Sequence, residues 1–162
     1  MTSEIVAIYD TVEAMTVLVD GMTPTVYGLT GIPNGVVNAD LPCRILLDLA
    51  QGGEGESMQF VTVNSGIGGG GEQYIDWRIN DLMLLKPLGL GIGSREVTQA
   101  LIAYTSAYID AVRSNRNLLE TDNNSASFTN LNVTPGTYEY PAESGHFFWG
   151  VMATSTIREI IS

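Results

Sequence analysis

At 162 residues the chain fits one domain, and a domain of that size buries roughly 70% of its extended-chain surface, enough to hold a core without disulfides or a metal. Only 15% of its residues are charged, so Gly, Ser, Thr and Asn, or neighbouring molecules, must cover much of the exterior. Seven basic residues against eighteen acidic ones leave a net charge of −11, which argues against a groove that grips nucleic acid, because such a groove needs clustered Lys and Arg.

The opening residues, Met-Thr-Ser-Glu-Ile-Val, lack the basic and apolar regions of a secretory signal. No apolar run approaches the ~20 residues that cross a bilayer. A cytosol-like compartment is therefore expected. Ile5, Ile8, Tyr9, Val12, Met15 and Val19 recur mostly at spacings of three and four, which predicts a helix from Ser3 to Val19 capped by Thr2 or Ser3. Gly21 and Pro24 then stop it.

A short strand is expected at Thr25 to Gly28, and a turn at Gly31 to Gly35. Leu41 to Leu49 reads as a core strand, with Cys43, Ile45, Leu47 and Leu49 on one face and Arg44, Leu46 and Asp48 on the other. Gln51 to Ser57 is a glycine-rich connection, Met58 to Val63 a second core strand, and Asn64 to Gly71 a second glycine-rich connection. Gln73 to Leu85 returns to strand, with Ile75, Trp77 and Ile79 sharing a face.

Ser94 to Arg113 predicts a helix buried along Val97, Ala100, Leu101, Tyr104, Ala107, Tyr108, Ala111 and Val112. Ser114 to Ser125 reads as a polar loop, Ser127 to Val133 as a strand, Thr134 to Thr137 as a turn and His146 to Ile161 as a long last strand. Runs of neighbouring strands favour an α+β fold: an antiparallel or mixed β-sheet with two α-helices packed on one face. Residues 1–162 form a single domain in this reading, with the glycine-rich stretches 51–57 and 64–71 as candidate docking arms.

Candidate chemistry is sparse. Cys43 is the only cysteine, so neither an intrachain disulfide nor a multi-cysteine zinc site can form. His146 is the only histidine; as a base for Cys43 or a serine it is outweighed by its reading as a strand-end residue in a loop or interface. The run Gly89 to Ser94 joins a strand to a helix, where phosphate loops occur, but no Lys-Ser/Thr pair follows and Ser94 stands where a third glycine belongs. A flexible turn before a helix cap explains it better. Glu54-Gly-Glu56 and Asp110 to Asp122 match no calcium loop. Trp77, Tyr74 and Phe147-Phe-Trp149 could stack on bases, yet with so little positive charge nearby they fit a core or a subunit contact better. No catalytic, cofactor or metal residue is predicted, and the chain is not expected to be an enzyme.

The order of elements resembles the tail terminator, or tail-completion, proteins of long-tailed bacteriophages. Nearly the whole chain carries the resemblance, in the helix Ser3 to Val19, the strand Pro24-Thr-Val-Tyr27, the phrase Asn38-Ala-Asp-Leu-Pro-Cys-Arg-Ile-Leu-Leu47 and the helix Ser94 to Arg113. The segment Tyr138-Glu-Tyr-Pro141 before Phe147-Phe-Trp-Gly-Val-Met-Ala153 completes it. The resemblance implies a hexameric ring on the last ring of the tail tube, which ends tube growth and offers the surface where head or neck proteins dock. It implies a virion protein assembled in the host cytoplasm, with DNA passing through the lumen unbound and no membrane partner. No catalytic residue carries over. Candidate interface residues are the two glycine-rich stretches, Gly52, Gly53, Glu54, Gly55 and Glu56, and Ile67, Gly68, Gly69, Gly70, Gly71, Glu72 and Gln73. Asp48, Glu54, Glu56 or Glu72 would supply an acidic lumen. Two rivals stand beside this reading: a head-completion or connector ring protein of the neck, and a small ligand-binding domain using the Gly89 to Ser94 turn.

Overall fold

The computed structural model describes residues 3–19, 21–28, 31–47, 73–89 and 94–161. Its elements in chain order are α1 (Ile5–Ala14), β1 (Thr25–Tyr27), a 3-10 turn (Asn38–Asp40), β2 (Cys43–Leu47), β3 (Gln73–Pro87), α2 (Ser94–Ser114), β4 (Asn117–Glu120), β5 (Asn124–Glu139) and β6 (Phe147–Ile161). The strands form one six-stranded sheet in the order β1-β2-β3-β6-β5-β4. β1 runs parallel to β2, and every other neighbouring pair is antiparallel. The expected α+β architecture with a mixed sheet is the one observed.

Both helices lie on one face of the sheet. Ile8, Tyr9 and Val12 of α1 and Val97, Leu101, Tyr104, Tyr108 and Val112 of α2 pack with Leu46, Ile79, Met83, Phe128, Val151 and Ile157 in one core. The second face is covered at one end only. A parallel pair needs a crossover connection, and the segment joining β1 to β2 supplies it, laying Ile32, Val36 and Leu41 over Cys43, Ile45, Leu82, Leu84 and Phe148. Tyr140 joins this smaller core and donates its hydroxyl to the Pro33 carbonyl. β2 is thus buried on both sides, and its one charged residue, Arg44, is buried with the rest.

At the centre of the sheet β3 and β6 come unusually close. A Cβ on Gly150 would lie 2.3 Å from the Met83 carbonyl oxygen, so only glycine fits there. The pairing shifts register just beyond, between Leu84 and Lys86.

Three expectations about the extent of elements fail. The first helix ends at Ala14, not Val19. Met15, Val17 and Val19 are buried while Thr16 and Leu18 are exposed, so residues 15–19 alternate as extended chain. Met15 and Val19 fit a period of two as well as one of four, and β-branched neighbours favour the former. The polar stretch Ser114 to Ser125 contains β4 and the start of β5. Thr134 to Thr137 is no turn; β5 runs straight through it, with Pro135 opposite Val151. Proline is tolerated because β4 covers only the beginning of β5, and the remainder is a sheet edge. The expected strand Met58 to Val63, the glycine-rich stretch Gln51 to Ser57, and Asp48 and Leu49 lie outside the described residues.

Candidate assembly surfaces

The buried charges are tied into the fold, although Asp81 Oδ1 and the Tyr104 hydroxyl have no hydrogen-bond partner among the described residues. Arg44, fully buried on β2, donates through Nε to Asp81 Oδ2 at 2.7 Å. Its Nη groups donate to the carbonyls of Val12 at 2.5 Å and Met15 at 2.8 Å. Val12 lies in the last turn of α1 and Met15 is its C-cap residue, so a cation from the sheet caps the negative end of the helix. Burial works against the Arg44 charge, but the Asp81 carboxylate and its hydrogen bond, with Tyr104 and Tyr108, together outweigh it and raise the pKa. Tyr108 donates its hydroxyl to the same Asp81 oxygen at 2.8 Å. Burial pushes the Tyr104 and Tyr108 hydroxyls well above the usual tyrosine range, with Asp81 adding to the effect.

Glu159 caps the other end of α1. Its buried carboxylate accepts from the Glu4 N–H at 2.7 Å and the Ser3 hydroxyl at 2.7 Å. It also accepts from Trp77 Nε1 at 2.8 Å and Asn124 Nδ2 at 3.0 Å. The expected cap by the Ser3 or Thr2 side chain is replaced by this carboxylate, since α1 starts after Glu4 with no side-chain cap of its own. On the second face of the sheet, Arg158 makes a two-bond pair with Asp76 at 2.7 and 2.8 Å and stacks over Tyr74.

Cys43 is buried, and burial, helped by Asp40, pushes its thiol up to about 12, so it carries no thiolate at neutral pH. His146 is exposed, at the turn that enters β6. Among the described residues no three His, Cys, Asp or Glu side chains gather where they could hold a metal ion, and no helix is long and apolar enough to cross a membrane. Residues 90–93 of the Gly89 to Ser94 turn lie outside the described residues.

Of the residues expected at interfaces, Gly52, Gly53, Glu54, Gly55, Glu56, Ile67, Gly68, Gly69, Gly70, Gly71 and Glu72 lie outside the described residues. Gln73 opens β3, half-buried opposite Ile161.

Two other surfaces stand out. The first is an apolar end, where β3 runs out and β6 begins. Val37, Leu88 and Phe147 are 64%, 45% and 46% exposed and flank a cleft of about 500 Å³. Three large exposed side chains converging on one cleft are more than the scattered apolar residues of an ordinary surface. The second is a groove of about 470 Å³ between the last turns of α2 and β5, lined by Ile109, Val112, Phe128, Leu131 and Val133 with Arg113 and Arg116. The nearness of those two arginines is visible in the sequence; the apolar floor beneath them is not, because it belongs to a strand that folds back from further along the chain. Of the three exposed apolar residues at that end, Phe147 is the one the sequence reading singles out, along with its cleft neighbours His146 and Phe148. Val37 and Leu88 carry no local signal of exposure.

The rest of β5 forms a guarded edge. Phe128 donates its N–H across the edge to Arg116, the last backbone bond before the chain turns away into α2. Beyond it the Leu131 N–H is met by the side chain of Asn130 at 3.0 Å, and Pro135 has no N–H to offer. Both features discourage an unplanned strand from pairing here.

Comparison of the chain with protein-family models, with characterised proteins and with solved structures finds no match.

Proposed function

We propose that the chain is a structural assembly subunit that forms a ring at the head-proximal end of a phage tail tube. There it ends tube polymerisation and offers the docking surface for head or neck proteins. One observation carries the assembly reading: the exposed apolar end at Phe147 and the arginine-lined groove are unlike each other and lie apart. A closed ring uses heterologous contacts, so each subunit must present two different patches and not one self-complementary patch.

The buried polar groups support the same reading. Arg44, Asp81 and Glu159 are engaged in fastening α1 to the sheet, Tyr108 ties α2 to Asp81, and Arg158 with Asp76 braces the second face of the sheet. The element order that resembles the terminator proteins supplies the particular ring. Tubes polymerised from tail-tube protein with and without this chain test it, imaged by electron microscopy. The expected result is density capping one end and a narrower length distribution. Tubes of unchanged length with bare ends would sink the proposal.

A further inference from the structure

The two surfaces differ in charge as well as in position. At the apolar end, Asp40 accepts the N–H of Val37 at 3.0 Å, and Glu139 accepts the N–H of Gly145 at 2.6 Å. Both carboxylates are thereby held at the rim of the cleft that Val37, Gly145 and Phe147 line. Glu143, exposed two residues before Gly145, adds a third. Against them stand Lys86, exposed next to Pro87, and His146 in the cleft itself.

The groove has the inverse character. Its apolar floor is bordered by Arg113 and Arg116, both exposed. Arg113 meets Asp110 at 3.7 Å on the same helix face, an exposed pair too weak to satisfy the guanidinium. Arg116 makes no ion pair among the described residues.

We propose that these are the two halves of one contact: the carboxylate-rimmed Phe147 end of one copy seats in the Arg113/Arg116 groove of the next. Apolar groups then meet apolar groups, and carboxylates meet guanidinium groups at the border. Val133 pairs with Ala153 and Glu139 with Phe147, so the groove and the apolar end lie about 20 Å apart along the sheet. A copy joined through one surface therefore keeps the other free, and the contact repeats head to tail. This rests on the assembly reading only in taking the partner to be another copy of the chain.

Sedimentation velocity on the full-length protein tests the contact, with circular dichroism to check folding. The expected result is a wild-type chain that self-associates, less strongly as salt is raised. Phe147→Asp and the double variant Arg113→Glu/Arg116→Glu should each weaken association by at least about tenfold. Mixed in equal amounts, the two variants should form a one-to-one dimer and nothing larger, since each keeps one intact half. A wild-type chain that stays monomeric at about 1 mM, variants that associate like wild type, or a mixture that yields no dimer each overturns the proposal. The outcome is separable from that of the tube experiment. Capped tubes from a chain that fails the mixing test would retain the terminator reading and reject this contact; mixed dimers from a chain that leaves tubes bare would do the reverse.

Discussion

Arg44 and Glu159 do by long-range contact what short helices usually do for themselves. A ten-residue helix is marginal alone, and α1 has no basic residue in its last turn and no acidic one in its first. The sheet provides both charges, an anion at the amino end and a cation at the carboxyl end, each with the sign the macrodipole favours. Removing one partner of a buried pair leaves the other charge stranded. Arg44→Met should therefore cost about 3–5 kcal/mol in urea unfolding, and adding Asp81→Leu should restore part of the loss. Glu159→Gln should cost about 1–3 kcal/mol, because an amide N–H₂ would face donors where a carboxylate oxygen now accepts. Cys43 gives a prediction in pH. Its thiol pKa is raised by burial from 9.0 to about 12, so the folded state holds a proton that the unfolded state releases. That contribution is complete below pH 9 and is lost as pH rises from 9 towards 12, at up to ~1.4 kcal/mol per pH unit. The tyrosines Tyr104 and Tyr108 add the same sign above pH 10. Urea midpoints measured from pH 8 to 10 should fall for the wild type, and fall less steeply for Cys43→Ala.

Among the elements, α2 and β6 are legible in the sequence because a single period runs through each, and β2 and β3 because their apolar residues are concentrated in short runs. The buried residues of α2 fall at helical spacing, and β6 alternates buried and half-buried along nearly its full length. α1 is only half legible: Met15 and Val19 satisfy two periods, and the choice is made by the distant Arg44, which takes the last carbonyls of the helix. β5 misleads through turn residues, since Thr134-Pro-Gly-Thr137 carries a turn signal that an edge strand overrides. Neither candidate surface is legible as a surface, because each gathers residues from separate segments: Val37, Leu88 and Phe147 in one, α2 and β5 in the other. The guarded edge makes its own prediction. Pro135→Val with Asn130→Val should bare the N–H groups of β5 and promote edge-to-edge pairing. Static light scattering and a dye that reports β-aggregates should both rise over hours at a concentration where the wild type stays clear. Equal behaviour of variant and wild type would show that β5 needs no such protection.

At the scale of the whole molecule, charge decides how the protein meets DNA. The proposed tail ring would have to let a duplex pass without holding it, and a net charge of −11 opposes binding from the outset. Of its seven cations, Arg44 is buried against Asp81, and Arg158 is held in a two-bond pair with Asp76. Arg113 and Arg116 are the pair that share one groove. Two such residues could release about two counterions from phosphate, which gives a salt slope near −2 and no useful affinity at physiological salt. The expectation is that a labelled duplex shows no anisotropy change at 0.15 M salt, a concentration at which the Debye length is about 8 Å and only close contacts survive. At 0.01 M salt, where that length is about 30 Å, the longer reach of the −11 field should keep the duplex away and not draw it in. Tight binding that persists at 0.15 M salt and disappears in Arg113→Glu/Arg116→Glu would reassign the groove from protein to phosphate. The apolar floor of Val112, Phe128, Leu131 and Val133 argues against that outcome, because a phosphate backbone has nothing to bury there.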